Sequence, residues 1–420
     1  MVEAKRAFIL RALLGTSALV VIQSEALAGG FALREQSAYG QGSSFAGIAA
    51  GGSLSSMFWN PATLADATGW QFESVGTMII PTSDVESFFG VSNDEGDIAE
   101  DAFLPALYGA YRLNDRLTFG FGVNSGYGLV TRYDSTSVLR ANGIAGTSDI
   151  FSLNVNPAVS YQVNDWLALA LGAQVQYIDV RLTGLPPTLF LDSVEGDDIA
   201  VGATAGILLT PMAGTEIGLG YRSRIDHTLE GELETLLGDF DVEGEGLDLP
   251  DVVTLGIRQR ITDRFRVMAG AEWANWSRFE AVDITGQTAP FPDTITLDFD
   301  YNDSWFFSVG GEYDVNDKLT VRAGIGYELS PLDDDNRTFR LPDNDRLWLS
   351  AGASYKASER FSFDLGYTYI AVGDTDIVAE PDGGPEQNNV FSGESDANVH
   401  LISAALKVKF GGAPDSFEKP

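Results

Sequence analysis

The stretch Lys318-Leu-Thr-Val-Arg-Ala-Gly-Ile-Gly-Tyr-Glu-Leu329 alternates between two kinds of side chain along its whole length. Every second position from Leu319 to Leu329 is apolar, and the positions between them are small or polar. A period of two is that of a β-strand whose two faces meet different surroundings. Strands of soluble sandwiches also alternate, but they usually run for ~5–6 residues. A tilted strand needs roughly 9–11 residues to cross a bilayer, so this stretch indicates a membrane-spanning strand.

The same pattern recurs from Trp70 to Phe410, and the connections alternate in length as well. Short polar turns such as Asn316-Asp317 are followed by long connections such as 331–343. Six short turns and seven long loops would join 14 strands. An even number of strands, with short turns at one end and long loops at the other, is typical of an outer-membrane barrel. The predicted strands are 70–81, 103–113, 116–126, 148–163, 166–182, 197–210, 214–229, 249–261, 264–283, 296–315, 318–330, 344–357, 360–370 and 397–410.

The first 28 residues have the composition of a secretion signal. Lys5, Arg6 and Arg11 form a basic start, residues 12–22 are apolar, and Ala26-Leu27-Ala28 resembles a cleavage site. The apolar run is too short for a membrane anchor. We therefore expect residues 1–28 to be a cleaved signal peptide of a bacterial outer-membrane protein.

Residues 29–69, which precede the first strand, are rich in glycine, serine and alanine. Such a segment is either a flexible leader or something that the barrel encloses. The segment carries five aromatic side chains, Phe31, Tyr39, Phe45, Phe58 and Trp59, which argue against disorder. A barrel of ~14 strands has a lumen between that of filled small barrels and that of open porins. We predict an N-terminal hatch at 29–69 that starts at the periplasmic mouth, a barrel at 70–410 and a C-terminal tail at 411–420.

Composition narrows the range of functions. The net charge of −34 argues against a nucleic-acid partner, because phosphates would be repelled. The chain has two histidines and no cysteine, and no hydrolase motif stands at a strand-to-helix turn, so we expect no enzyme activity, no cofactor and no metal site. Acidic residues concentrate in predicted outer loops, where they form either a solvated face or a surface that divalent cations bridge to lipopolysaccharide.

Two predicted outer loops are unusually apolar at their centres, and exposed apolar surface needs a reason. The loops either pack on each other as a cap or form a groove that captures hydrophobic solutes. The residues concerned are Leu185, Leu189, Phe190 and Leu191 in one loop and Leu233, Leu236, Leu237 and Phe240, at helical spacing, in the other.

The third predicted strand loses its alternation at Asn124-Ser125-Gly126-Tyr127-Gly128. Glycine within a strand pattern indicates a bulge or bend, which would open a gap in the barrel wall. The alternative is that the strand simply ends here and a loop begins.

Alternation also places several arginines on the lumen side, among them Arg222, Arg258 and Arg322. Most such charges are expected to neutralise one another across the lumen. An arginine can also hold a ligand carboxylate through a bidentate pair, so these three are candidate carboxylate anchors.

Several of these features together resemble the FadL-type long-chain fatty acid transporters and their relatives that take up aromatic hydrocarbons. The resemblance lies in Gly29-Gly-Phe-Ala-Leu-Arg-Glu-Gln-Ser-Ala-Tyr-Gly-Gln-Gly-Ser-Ser-Phe-Ala-Gly47, in Asn60-Pro61-Ala62 and in the interruption at 124–128. It implies an all-β fold, a monomeric transmembrane 14-stranded antiparallel β-barrel with the hatch in its lumen.

The resemblance also implies a route for hydrophobic small molecules. They would be captured in the loop groove, pass to an internal pocket, and leave sideways into the outer membrane at 124–128. Pocket residues are expected near the start of the hatch, at Gly29, Gly30, Phe31, Leu33 and Arg34. Long-chain fatty acids are the expected substrate. The alternatives are an aromatic hydrocarbon transporter of the same fold, or a general diffusion porin or structural barrel.

Overall fold

The structure, a computed structural model, describes residues 30–184, 191–286, 293–379 and 391–411. The predicted signal peptide and residues 412–420 of the predicted tail, together with Gly29, Leu185, Leu189 and Phe190, lie outside these residues. No helix in the described part of the chain is long and apolar enough to cross a membrane.

The described residues form one sheet of 21 antiparallel strands. The strands are β1 (Trp70–Phe88), β2 (Ser92–Asp97), β3 (Ala102–Arg112), β4 (Leu117–Asn124), β5 (Gly128–Arg132), β6 (Thr147–Asn164), β7 (Leu167–Thr183), β8 (Leu191–Met212), β9 (Thr215–Arg222), β10 (Ile225–Thr235), β11 (Gly238–Leu249), β12 (Val252–Arg260), β13 (Phe265–Ala274), β14 (Ala281–Gly286), β15 (Thr294–Asp298), β16 (Ser304–Asp314), β17 (Leu319–Leu329), β18 (Arg346–Lys356), β19 (Phe361–Val372), β20 (Thr375–Ala379) and β21 (Phe391–Phe410).

Fourteen of these strands form the closed wall of a barrel, which confirms the predicted fold. They are β1, β3, β4, β6, β7, β8, β9, β12, β13, β16, β17, β18, β19 and β21, each paired with the next. The first and last strands close the barrel through a ladder from the Trp70–Phe410 pair to the Phe88–Ser392 pair. Closure leaves no wall strand with an unpaired edge along its full length.

The remaining strands extend the sheet beyond the wall at the end that carries the long loops. Three predicted strands are each broken into two: 214–229, 264–283 and 296–315. The longest extension is the hairpin of β10 and β11, which pair from Ile225–Leu249 to Thr235–Gly238. Alternation alone did not show these breaks, because each half keeps a period of two on its own.

The two faces of the barrel wall carry different side chains, in the arrangement of a membrane barrel rather than of a soluble protein. On β17, Val321 and Ile325 are exposed on the outside, whereas Arg322 and Glu328 are buried in the lumen. Apolar residues facing outward and polar ones facing inward are what a surrounding bilayer requires.

The hatch segment is enclosed by the barrel. It contains a short α-helix, Ala38–Gln41, and three 3₁₀ helices, Ile48–Ala50, Leu54–Phe58 and Pro61–Asp66. Nearly all of its side chains are buried, so it fills the lumen as predicted. The backbone can approach the wall because glycines face it: a Cβ atom on Gly218 would lie 1.8 Å from the carbonyl oxygen of Ala49.

The hatch starts at a different height from the one predicted. The amide of Gly30 donates to Asp343 Oδ2 at 3.2 Å, and Asp343 belongs to the connection between β17 and β18 at the long-loop end. The prediction that the hatch begins at the periplasmic mouth is therefore wrong. The first described residue of the hatch lies near the long-loop end of the lumen, and the segment runs from there down to Trp70.

Candidate functional site

A cavity of about 960 Å³ occupies the end of the barrel that carries the long loops. Its wall is mainly apolar and comes from the strands and their extensions, with residues such as Leu129, Ile150, Leu229 and Ile284. Its volume lies near the upper end of what is usual for small-molecule sites. We call this space the outer cavity.

Phe31 of the hatch stands at the floor of the outer cavity. Its ring contacts Trp276, Phe279 and Tyr127 in edge-on geometry, with centroid distances of 4.8, 5.6 and 6.1 Å. Such edge-to-face arrangements are favourable for aromatic rings. Phe31 is 2% exposed, so the floor is closed in this structure.

A second and much smaller space of about 40 Å³ lies on the other side of this aromatic cluster. Ala32, Arg34, Tyr127 and Trp276 line this inner cavity. Since Phe31 lines only the outer cavity and Ala32 only the inner one, the hatch backbone at this point separates the two.

Arg34 brings a positive charge to the inner cavity, but that charge is already balanced. The guanidinium pairs with Glu272 and, at 3.2 Å, with Glu328. It also lies over the ring of Phe306 at 4.0 Å from the centroid. Two carboxylates around one guanidinium leave the inner cavity with no spare positive charge for an anionic ligand.

The broken third strand is joined to the hatch by backbone hydrogen bonds. The amide of Leu33 donates to the carbonyl of Gly126 and the amide of Gly128 donates to that of Phe31, both at 2.8 Å. Ala32 and Tyr127 form the bridge between these bonds. The interruption between β4 and β5 is thus a segment that turns inward and pairs with the hatch.

The inward turn leaves a window in the barrel wall. The β3–β4 ladder ends at the Leu107–Val123 pair, so residues 102–106 of β3 have no partner on the β4 side. The window is closed again above by the bridge between Ala99 and Thr131. Five strand residues at roughly 3.3 Å each give it a height of about 16 Å. This geometry favours a gap in the wall over the alternative that a strand simply ends.

Asn60 of the Asn-Pro-Ala motif fastens the hatch to the barrel. Its Oδ1 accepts from the amide of Ala62 at 3.0 Å, which caps the helix that Pro61 begins. Its Nδ2 donates to the carbonyls of Ala49 at 2.7 Å and Ile207 at 3.0 Å. One side chain therefore joins two hatch turns and β8.

Comparison with known proteins places the chain in a family. The family model described as "Outer membrane protein transport protein (OMPP1/FadL/TodX)" matches residues 19–410. The chain belongs to the FadL/TodX family. It is accordingly an outer-membrane protein, and its family consists of transporters of hydrophobic compounds rather than enzymes.

Individual relatives are distant but cover most of the chain. The "47 kDa outer membrane protein" of Pasteurella multocida is 28% identical over 84% of this chain and 90% of its own. The "Long-chain fatty acid transport protein" of an Escherichia coli strain is 26% identical over 84% of this chain and 89% of its own.

Solved structures confirm the fold. A Pseudomonas aeruginosa FadL homologue superposes with a TM-score of 0.82 at 20% identity, over 91% of this chain and all of its own. The toluene transporter TodX of P. putida superposes with a TM-score of 0.64 at 18% identity, over 86% of this chain and 95% of its own.

The three candidate carboxylate anchors of this FadL/TodX protein have partners inside the protein. Arg222 donates to the carbonyl of Phe58 at 3.0 Å and lies over its ring, and Arg258 donates to Glu216 and Tyr39. Arg322 lies over the Tyr39 ring at 4.1 Å. None of the three lines either cavity, so the structure uses them to hold the hatch.

The predicted loop groove is only partly visible among the described residues. Leu233, Leu236, Leu237 and Phe240 lie on the β10–β11 hairpin, and Leu233 is directly opposite Phe240. Their helical spacing in the sequence does not correspond to a helix. Leu233 is buried beside the outer cavity, whereas Leu236 and Leu237 at the tip are 79% and 62% exposed. Leu191 is the first residue of β8 and pairs with Thr235.

Two arginines that the sequence did not single out line the outer cavity, Arg337 and Arg340. Arg337 donates to Asp334 Oδ1 at 2.7 Å and to two backbone carbonyls. Among the described residues, Arg340 donates to the carbonyls of Thr183 and Gly184 and to no carboxylate. Burial lowers the pKa of Arg340 to about 10, so it stays protonated at neutral pH. Both lie in a loop without alternation, where sequence gives no face for a side chain.

Proposed function

We propose that this protein takes up hydrophobic molecules passively across the outer membrane, with long-chain fatty acids as the main substrate. The ligand would enter the outer cavity from the loops, pass Phe31, and leave through the window between β3 and the broken third strand. The observation that carries this proposal is the hydrogen bond from Gly128 to Phe31. Through this bond and its neighbours, hatch residues 31–33 contact both the floor of the outer cavity and the edge of the window.

A sideways exit suits an apolar solute. Removing apolar surface from water is favourable by roughly 25 cal/mol per Å². The free energy of such a molecule therefore falls when it enters lipid and rises when it crosses water. A vertical path would also require the whole hatch to leave, whereas the window lies beside its first residues. The general porin and structural-barrel alternatives leave the outer cavity and the window without a role.

Movement at the start of the hatch would open both barriers together. If residues 31–33 shift, Phe31 leaves the floor and the segment at 126–128 loses its partners. The window edge then becomes free to move. A ligand that binds the shifted state more tightly than the closed one would drive this change.

Aromatic hydrocarbons are the second candidate substrate. Phe31, Phe279 and Tyr301 line the floor of the outer cavity. They form an aromatic cluster with Tyr127 and Trp276 beneath them, with ring centroids 4.8–6.3 Å apart in the measured pairs. Rings of this kind pack well against a ligand ring. TodX of P. putida, which has this fold, is a toluene transporter.

We also propose contact with lipopolysaccharide through divalent cations, with the protein acting as a monomer. Outside the barrel, Glu86 is paired with Glu394 on one side and with Asp94 on the other. Like charges directly opposite each other destabilise a sheet, and a cation shared with a lipid phosphate would relieve the repulsion. The barrel wall encloses both cavities within one chain, so no second copy is needed.

Uptake by cells that lack their own transporter tests the function. Cells producing this protein should accumulate labelled palmitate faster than cells producing an empty vector, and labelled toluene is measured in parallel. Faster uptake of toluene alone would select the second candidate. Uptake of neither, with the barrel present in the outer membrane, would contradict the proposal.

A further inference from the structure

Arg340 is a cation placed in the wall of a mainly apolar cavity. Its guanidinium donates to the carbonyl oxygens of Thr183 at 2.9 Å and Gly184 at 2.8 Å. Its own carbonyl accepts from Thr131 Oγ1 at 3.0 Å, so the backbone is held as well. A guanidinium has five donors, and two are used by these carbonyls.

No carboxylate among the described residues forms a salt bridge with Arg340. The neighbouring Arg337, which lines the same cavity, pairs with Asp334. Arg34 below the floor pairs with Glu272 and Glu328. Carbonyl oxygens are dipoles and leave the charge of Arg340 uncompensated, which is costly in a partly desolvated position. An anion arriving in the cavity would find its counter-ion here.

The height of Arg340 above the floor restricts the shape of such a ligand. Gly128, which bonds to Phe31, is paired through Phe151 with Asp179 on β7. Arg340 bonds to Thr183, four residues further along the same strand. At roughly 3.3 Å per residue, the bond to Thr183 lies about 13 Å along β7 from the level of Phe31. An extended alkyl chain spans this distance and a single aromatic ring does not.

We propose that Arg340 binds the carboxylate of a long-chain amphiphile in the outer cavity, with the alkyl chain directed down to Phe31. This inference rests on the proposed function and adds the head-group anchor and the orientation of the ligand. The tail reaches the gate first, where the inner cavity offers no spare positive charge. Arg340 therefore determines the preference for a carboxylate over a neutral molecule of the same length.

The test compares palmitate with hexadecanol, which has the same chain and no charge. Binding of each to the full-length protein in lipid nanodiscs is measured, with empty nanodiscs correcting for partition into lipid. We expect wild type to bind palmitate more tightly. R340Q should lose about tenfold or more of its palmitate affinity, as for a charge-assisted hydrogen bond, with hexadecanol affinity unchanged. R132Q is the matched control, because Arg132 pairs with Glu100 outside the cavity.

The possible results distinguish a failure of the proposed role of Arg340 from a failure of the proposed uptake function. Equal affinities of wild type for both ligands, or equal losses in R340Q, overturn the role of Arg340 and leave uptake intact. If wild type binds palmitate, hexadecanol and toluene no better than empty nanodiscs do, the proposed function itself fails. A crystal structure of wild type with palmitate brominated at its methyl end gives a test without any mutation. Bromine near Phe31 supports the orientation, and bromine near Arg340 overturns it.

Discussion

The amide of Gly128 donates to the carbonyl of Phe31 at 2.8 Å. This bond joins a residue of the barrel wall to the residue that closes the floor of the outer cavity. In an ordinary barrel strand, that amide would bond to a neighbouring wall strand. Its use by the hatch means that the barrel wall and the floor of the outer cavity are joined in one ladder.

Filling the window should stop uptake without harming assembly. A Cβ atom on Gly126 would meet only Phe58, at 3.9 Å, and the backbone is not in the left-handed region. We expect G126W to fold and to lower palmitate uptake at least about tenfold. Uptake by producing cells and barrel content of the outer membrane are measured together. S135W, in an exposed loop, is the control, and full uptake by G126W would exclude the lateral route.

Removing the start of the hatch should make the barrel permeable. Deletion of 29–45 takes away Phe31, the ladder with 126–128 and the Tyr39 side chain that Arg322 and Arg258 contact. We expect ion conductance in planar bilayers to rise well above that of wild type and selective uptake to disappear. The milder F31A should keep low conductance, since most of the hatch still fills the lumen. An unchanged conductance in the deletion would show that the hatch is not the plug.

Loss of the Asn60 amide should loosen the hatch from the wall. N60A removes two buried hydrogen bonds to Ala49 and Ile207 and the cap of Ala62. A buried donor or acceptor left unpaired costs about 1–3 kcal/mol. Hydrogen exchange at the Ala62 amide should therefore be at least about fivefold faster. N60D keeps the cap and loses the donors, so it should show an intermediate rate; equal rates in all three proteins would argue against this anchoring role.

The pairing between hatch and wall should depend on pH through Glu35. This side chain is 2% exposed, and its burial raises the pKa from 4.5 to about 7, against the opposing charge of Arg34. Glu328 and Arg346 are the other charged groups that act on it. Because the folded pKa is the higher one, the closed hatch is most stable below pH 4.5 and loses stability as the pH rises through about 7. Protection of the Leu33 amide from exchange should fall across this range.

The conservative variant E35Q isolates this effect. It keeps the shape and removes the titration, so the protection factor at Leu33 should become independent of pH and exceed that of wild type at pH 8. Parallel profiles for the two proteins would show that another group is responsible.

Much of the architecture could be predicted because it follows from local pattern. The alternation from Leu319 to Leu329 reports the two faces of a strand directly, and turn lengths report its neighbours. Where β9 stops at Arg222 and β10 resumes at Ile225, the pattern restarts with the opposite face inward. That change depends on the loops packing over the lumen, which no local pattern records.

The site could be predicted only where it coincided with a recognisable segment. Phe31 lines the outer cavity and 124–128 adjoins the window, and their roles in ligand binding and exit remain predictions from the resemblance. Arg340 was missed because a residue in an irregular loop has no predictable face. The arginines at 222, 258 and 322 were placed correctly in the lumen, but their partners Phe58 and Tyr39 come from the hatch. Contacts between segments so distant in sequence depend on the tertiary fold, so local sequence pattern does not predict them.

The ladder between β1 and β21 closes the barrel, and this bears on when the hatch can pack during assembly. The hatch is continuous with β1, and its first described residue, Gly30, donates to Asp343 near the long-loop end of the lumen. Its helices and buried rings fill the space that the seam encloses. A finished cylinder would have to admit this packed segment through its whole depth. We therefore expect the hatch to pack inside a still-open sheet before the β1–β21 seam closes around it.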